Sequence, residues 1–203
     1  MVVNILKYGS PALRKHSNKI TREDNLKEIV GNMFDTLKKE GGLGLAGPQI
    51  GILKRVFLID TSSLNEEDPE IEKIEQPFIN PEILGFSTGT IIYEEGCLSI
   101  PGIAEEVTRP EKIRVSYLDM SFNKIEEELD GVKSRIFQHE YDHLNGVLFI
   151  DRLSYLRRKF LSTKLNEIKN SKNNKLWIKN IPFPKLNFRT LKTLFWLYRV
   201  KAG

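Results

Sequence analysis

The stretch Val132–Leu144 contains neither Gly nor Pro, includes Gln138-His139-Glu140-Tyr141-Asp142-His143, and is followed by Asn145-Gly146. This pattern predicts a helix that ends at the Asn-Gly pair. Residues four apart share one face of a helix, so both imidazoles can reach a single divalent cation. Glu140 adjoins the first histidine and is placed to take a proton from a water molecule that the cation activates. The spacing therefore predicts a metal site.

A third protein ligand is expected, because catalytic zinc-type centres bind through three side chains and leave one position for water. His16 lies among basic residues and is expected at the surface, where its neighbours disfavour a further cation. The spacing of the remaining residues leaves two candidates open. One is the single cysteine, Cys97, and the other is Glu167, downstream of the histidines.

Hydrophobic periodicity predicts the elements around this helix. Apolar residues at spacings of three and four predict an earlier helix over 26–37, with a capping box at Thr21 and an end at Gly41. Further predictions are strands at 56–60, 90–93, 113–118 and 147–150, an exposed loop at 61–76 and a helical stripe over 153–168. Strands that precede a helix without regular β-α alternation predict an α+β fold.

The composition is that of a globular protein, with 203 residues, 40% hydrophobic and 29% charged. This length corresponds to one domain, or to one domain with an appendage, and the composition excludes collagen-like and disordered chains. One cysteine cannot form an internal disulfide and fits a reducing compartment. We find no secretory signal at the N-terminus and no apolar run near the roughly 18 residues of a membrane span, so a cytoplasmic protein without a transmembrane segment is expected.

Charge is distributed unevenly along the chain. The formal net charge is +4, yet residues 152–203 hold 14 basic residues and a single acid, Glu167. Such a basic region is either a solvated helix face without a partner or a surface for a polyanion such as RNA. The polar stretch 170–174 predicts the boundary between a domain at 1–169 and a basic C-terminal extension at 170–203.

A glycine-rich loop precedes the first predicted strand, with the sequence Gly42-Leu43-Gly44-Leu45-Ala46-Gly47. It matches the dinucleotide pattern G-x-G-x-x-G, but here a helix precedes the loop and a strand follows it, which is the reverse of what that motif requires. Glycines leave backbone groups accessible, so an extended peptide could pair with the loop as an added strand. The amide of Gln49, just after the loop, could polarise a carbonyl group.

Three segments together resemble the peptide deformylase family, and they occur in the order of that family. They are Gly42-Leu43-Gly44-Leu45-Ala46-Gly47-Pro48-Gln49, Glu95-Gly96-Cys97-Leu98-Ser99 and Gln138-His139-Glu140-Tyr141-Asp142-His143. The similarity extends over roughly residues 3–169. Gly47 departs from the family, which usually has a second alanine there, and the added backbone freedom could loosen Gln49.

The resemblance implies a hydrolase that removes the formyl group from the N-terminal formylmethionine of newly made polypeptides and releases formate. It also implies an α+β fold in which sheets surround a central helix carrying the histidines. It selects Cys97, with His139 and His143, as the metal ligands. The expected metal is Fe2+ by family likeness, with Zn2+, Ni2+ or Co2+ able to take its place; ligand chemistry alone would favour zinc.

The motifs and the positions of residues along the predicted helix suggest individual roles. Glu140 is the general base and then the acid, while the Leu98 N–H and the Gln49 amide stabilise the carbonyl oxygen as it becomes negative. Residues expected to bind the substrate are Leu43, Gly44, Gly96, Val132 and Ile136. Asp142 is expected on the helix surface rather than behind the ligands, and Arg135 at the rim of the pocket or in solvent.

Two other functions remain as rivals at this point. One is a zinc endopeptidase that uses Glu167 as the third ligand. The other is a binding module with a structural metal, although such sites normally have four protein ligands. The basic C-terminal region could contact the ribosome, on which the substrate emerges, lie on anionic lipid, or pack back on the domain.

Overall fold

The computed structural model describes residues 1–171 and shows an α+β fold, as predicted. The helices in this part of the chain are α1 (Leu26–Glu40), α2 (Ser62–Glu67), α3 (Gly131–Leu144), α4 (Tyr155–Phe160) and α5 (Ser162–Asn170). The strands are β1 (Gly44–Ala46), β2 (Val56–Asp60), β3 (Glu75–Phe86), β4 (Thr90–Cys97), β5 (Ile100–Pro110), β6 (Ile113–Leu118) and β7 (Lys124–Leu129). Short 3-10 helices lie at Pro11–Arg14, Gly47–Ile50 and Phe149–Arg152.

The strands form two antiparallel sheets. The larger has five strands in the order β1-β2-β3-β6-β7, and the smaller is the β4-β5 hairpin. Strand β2 pairs with β1 through Phe57 and Ala46 and with β3 through Phe57 and Phe78. Strand β1 therefore lies at an edge of the larger sheet.

Helix α3 contacts both sheets. Phe137 packs edge-on against Phe57 and Phe78 of the larger sheet, with ring centroids 4.9 and 5.3 Å away. From the same helix, Arg135 donates hydrogen bonds to the carbonyl oxygens of Val107 (2.8 Å) and Ile91 (2.7 Å) in the hairpin. These contacts fix the helix relative to the end of β4.

The predicted end of this helix at the Asn-Gly pair is confirmed and has a steric reason. Gly146 has φ +71°, and a Cβ there would lie 2.7 Å from the carbonyl oxygen of Arg14. Both the left-handed backbone and the close approach of another segment favour glycine at this position.

Helix α1 is confirmed, but the predicted capping box at Thr21 is wrong. The N-cap is Asn25, whose side chain accepts a hydrogen bond from the backbone N–H of Glu28. Gly41 ends the helix in a left-handed conformation, with φ 70°. A polar residue therefore caps the helix, as predicted, but it lies about one turn further along the chain than Thr21.

Two other predictions are wrong. The segment 61–76 is not an exposed loop, because it contains α2 and because Ile74 is buried and donates its N–H to the Thr61 hydroxyl at 2.7 Å. Residues 147–150 are not a strand; they lead into the 3-10 helix Phe149–Arg152, where Phe149 and Ile150 are buried. A short apolar run by itself does not distinguish a strand from a buried turn.

The predicted helical stripe over 153–168 becomes two helices, α4 and α5, which meet at Leu161. Leu161 and Leu165 are buried, whereas Leu156 and Phe160 are exposed. Most of the predicted extension at 170–203, including its expected contacts with lipid or with the domain, lies outside the described residues. No helix within residues 1–171 is long and apolar enough to cross a membrane.

Candidate metal centre

Two elements bring three potential metal ligands together. Cys97 is the last residue of β4, and His139 and His143 lie on one face of α3. All three side chains are buried, and a donor atom from each lies within 4.8 Å of the others. The Cys97 sulfur is 3.2 Å from Nε2 of His143, and the two imidazole centroids are 5.2 Å apart. This convergence fits a single metal ion.

The other ligand candidates lie elsewhere. Glu167 is exposed on α5 and does not belong to the cluster. His16 is exposed, as predicted. Within residues 1–171 the cluster has three such ligands, which leaves it one short of the four that a closed structural zinc site normally has.

Burial changes the pKa values of two of these ligands in ways that bear on metal binding. Burial, with the charges of His139 and Arg109, holds the pKa of His143 well below its ordinary value, so the imidazole is neutral and able to coordinate. Burial, with the charge of Glu140, raises the pKa of the Cys97 thiol to about 12. A buried thiolate in this position therefore needs a positive partner, which a divalent metal would supply.

Glu140 lies beside the three ligands and is itself buried. Burial, reinforced by the charge of Glu95, raises the pKa of Glu140 well above its ordinary value. Among the residues that the structure describes, its Oε2 atom has no hydrogen-bond partner. Gly44 makes room for this carboxylate, because a Cβ on Gly44 would lie 2.9 Å from Cγ of Glu140.

Glu95 orients His139. Its Oε2 atom accepts a hydrogen bond from Nδ1 of His139 at 2.9 Å, which leaves Nε2 of that imidazole for a metal. Burial by itself would raise the pKa of Glu95, but the charge and hydrogen bonds of Arg109, with those of His139, outweigh it and hold the pKa below its ordinary value. Glu95 is therefore a fixed anion behind the ligands.

Arg109 on β5, like Glu95, is not among the site residues that the sequence predicts. Its Nε and Nη2 atoms donate to the two carboxylate oxygens of Glu95 at 2.6 and 2.8 Å, and Nη1 donates to Asp142 at 2.7 Å. Arg109 has 1% of its surface exposed. The available signal was the alternation along β5, which buries Ile103, Val107 and Arg109 on one face.

The expectations for two residues of α3 are corrected. Asp142 is not on the helix surface; it is buried and accepts hydrogen bonds from Arg109 and Arg152. Arg135 neither rims a pocket nor faces solvent, because it is buried and donates to Glu95 at 2.7 Å. Its guanidinium also stacks over the ring of Tyr93 at 4.9 Å.

Gln49 lies on the other side of Cys97 and is buried. Its Oε1 atom accepts the N–H of Ala46 at 2.7 Å, and this contact directs Nε2 toward Cys97 Sγ (3.6 Å) and Ser99 Oγ (3.4 Å). Gly47, which was expected to loosen Gln49, lies in a tight space, because a Cβ there would be 2.6 Å from the carbonyl oxygen of Ile52. Leu98, next to Cys97, is also buried.

The residues expected to bind the substrate fall into two groups. Leu43, Ile136 and the partly buried Val132 belong to one apolar cluster. Gly44 lies on edge strand β1, and Gly96 adjoins Cys97 on β4. Val132 and Ile136 lie on α3 with Glu140 and the two histidines, and Gly96 lies on β4 with Cys97.

Comparison with known proteins identifies relatives of this chain. Residues 2–159 match the polypeptide deformylase family. A peptide deformylase from Salinibacter ruber is 42% identical over 175 residues, covering 84% of this chain and 90% of the relative. The solved peptide deformylase of Plasmodium falciparum superposes with a TM-score of 0.74 at 42% identity, covering 81% of this chain and 94% of that one. The Thermotoga maritima structure gives 0.68 at 42% identity, covering 76% and 99%.

The buried ion pairs behind the centre lead to a stability prediction. Arg109→Met leaves Glu95 and Asp142 buried without their shared cation, so we expect a loss of about 3–5 kcal/mol in the free energy of unfolding. Urea denaturation of protein loaded with the same metal measures it. Arg114→Met, at an exposed position on β6, is the matched control and should cost less than about 1 kcal/mol. Equal losses in the two variants would contradict the assignment.

Proposed function

The chain belongs to the peptide deformylase family, and from that premise we propose which of its residues carry out the reaction. Enzymes of this family remove the formyl group from the N-terminus of newly made polypeptides, and this chain is an enzyme of that type. The observation that carries the assignment of residues is the convergence of three buried donor atoms beside the carboxylate of Glu140.

Cys97, His139 and His143 would hold one divalent metal ion. The donor set of one thiolate and two imidazoles fits Zn2+, Ni2+ and Co2+ as well as Fe2+, which is the ion expected from the family. A metal in this position supplies Lewis acidity, which makes a water molecule acidic enough to lose a proton near neutral pH. Glu95 supports the site by fixing His139 through Nδ1.

Glu140 would move the proton. Its carboxylate accepts a proton from the attacking water, which adds to the formyl carbon. As the C–N bond breaks, Glu140 returns that proton to the departing amine, and formate is released. The raised pKa of Glu140 supports this role, because a buried carboxyl can keep the proton between the two steps.

The Leu98 N–H and the Gln49 amide would stabilise the carbonyl oxygen as it becomes negative. Gln49 is suited to this because Ala46 fixes its Oε1 atom and thereby orients Nε2 toward Cys97. Donors that are already oriented need no rearrangement as charge develops, and losing one typically raises the barrier by about 3–4 kcal/mol.

The substrate would bind in an extended form along β1. This strand pairs with β2 on one side and lies at a sheet edge, so a peptide backbone can pair with its other side near Gly44. Gly96, which adjoins Cys97 on β4, is assigned to the same binding surface. The methionine side chain would lie against Val132, which is partly buried beside the apolar cluster that contains Leu43 and Ile136.

The enzyme acts on nascent polypeptides, and we propose that it meets them at the ribosome, in the cytoplasm. Arg157, Arg158 and Lys159 are exposed on α4, and the sequence beyond it is strongly basic. We assign catalysis to residues 1–169 and ribosome contact to α4 with the extension 170–203; the family match over residues 2–159 supports the first part of this division.

Replacing the proposed base should abolish turnover without removing the metal. We expect Glu140→Ala to lower kcat for formate release from a formyl-Met peptide by about 10²–10⁴-fold, because the proton has no acceptor. Metal analysis of the same sample should give the parent content. Glu23→Ala, at an exposed position, serves as the control. Substantial residual turnover would remove Glu140 from the mechanism.

A spectroscopic prediction tests the sulfur ligand. Cobalt-substituted protein should show a sulfur-to-cobalt charge-transfer band, since the Cys97 thiolate would coordinate the ion. The band should vanish in Cys97→Asp, which offers an oxygen donor instead. The absence of such a band in the parent protein would count against Cys97.

Ribosome association should depend on salt. Sedimentation with ribosomes should weaken steeply between about 50 and 200 mM salt, because the contact releases counterions from RNA. Changing Arg158 and Lys159 to Glu should weaken it further, whereas the same change at Lys27 and Lys39, which are exposed on α1, should have little effect. Salt-independent sedimentation would exclude electrostatic docking.

A further inference from the structure

The N-terminal segment Leu6–Tyr8 crosses the two loops that flank the proposed metal centre. The backbone N–H of Leu6 donates to the carbonyl oxygen of Gln49 at 2.7 Å, and that of Tyr8 donates to Ser99 at 2.8 Å. One short segment thereby ties the loop after β1 to the turn after β4. These loops carry the two groups to which we assign stabilisation of the carbonyl oxygen.

Lys7, the residue between Leu6 and Tyr8, contacts the turn after β4 through its side chain. Its ammonium donates to the carbonyl oxygen of Leu98 at 2.8 Å. The Leu98 side chain is buried and closely packed, since a Cβ on Gly42 would lie 2.9 Å from its Cδ1 atom. Leu98 is therefore held at its side chain by packing and at its carbonyl by a charged donor, and both restrain the orientation of its backbone.

We propose that Lys7 is a positioning residue of the deformylase site, which holds the Leu98 backbone in place. The proposal rests on the role assigned above to the Leu98 N–H. Lys7 acts through the Leu98 carbonyl, to which its ammonium donates.

The test compares Lys7→Met, which loses the donor and the charge, with Lys7→Arg, which keeps both. Lys39→Met removes a lysine at an exposed position on α1 and is the matched control. If Lys7→Met does not fold, Lys7→Gln replaces it. Two quantities are measured on each protein: kcat and KM for formate release from a formyl-Met peptide, and the position of the charge-transfer band of the cobalt-substituted form.

For Lys7→Met we expect kcat to fall about tenfold with KM changed less than about twofold, because the lost interaction acts mainly in the transition state. The sulfur-to-cobalt band should keep its position, because the proposed metal ligands are unchanged. Lys7→Arg should recover most of the kcat, and Lys39→Met should match the parent.

A parent-like kcat in Lys7→Met overturns the proposal. A loss of kcat with a shifted band, or one that Lys7→Arg does not recover, overturns it as well, because Lys7 would then affect the metal centre or the fold as a whole rather than Leu98. A parent that releases no formate overturns the proposed function, whereas an active parent with a parent-like Lys7→Met overturns only this proposal.

Discussion

The bridge that Arg109 forms between Glu95 and Asp142 is the interaction on which the site depends. It joins the β4-β5 hairpin to helix α3, and all three side chains are almost completely buried. Burying two carboxylates is costly unless a cation with good geometry accompanies them, and a guanidinium can meet both through separate hydrogen bonds. Without it Glu95 and Asp142 would keep separate partners, Arg135 and Arg152, but no cation would join the two carboxylates across the contact. The same ion pairs therefore contribute to the stability of the fold and to the geometry of the metal centre.

This arrangement also separates the roles of two neighbouring carboxylates. Glu95 stays ionised because Arg109 and His139 outweigh its burial, and its pKa is held low. Glu140 is equally buried and has no such partner among residues 1–171, so burial raises its pKa. One carboxylate therefore orients an imidazole, and the other is able to accept and return a proton. Pairs of carboxylates whose environments move their pKa values apart are typical of sites that carry out acid-base chemistry.

The sequence predicts the two long helices, which depend on local periodicity, but not the pairing of charged residues that are far apart in the chain. The helical spacing of His139 and His143 and the apolar periodicity of α1 are local, and both helices were found. Residue spacing alone does not decide between Cys97 and Glu167 as the third metal ligand. Family likeness selects Cys97, and the fold brings that residue to the histidines. Arg109 was missed and Asp142 was put on the surface, because their pairing joins a strand and a helix 33 positions apart. A charged residue gives no local sign that its partner will be buried with it.

X-ray absorption spectroscopy of the zinc-loaded protein checks the proposed ligands, because it reports the kind and distance of the atoms around the ion. We expect one sulfur at about 2.3 Å and two imidazole nitrogens at about 2.0–2.1 Å, with one further light atom in the shell. A shell without sulfur, or one with a third imidazole, would contradict this ligand set.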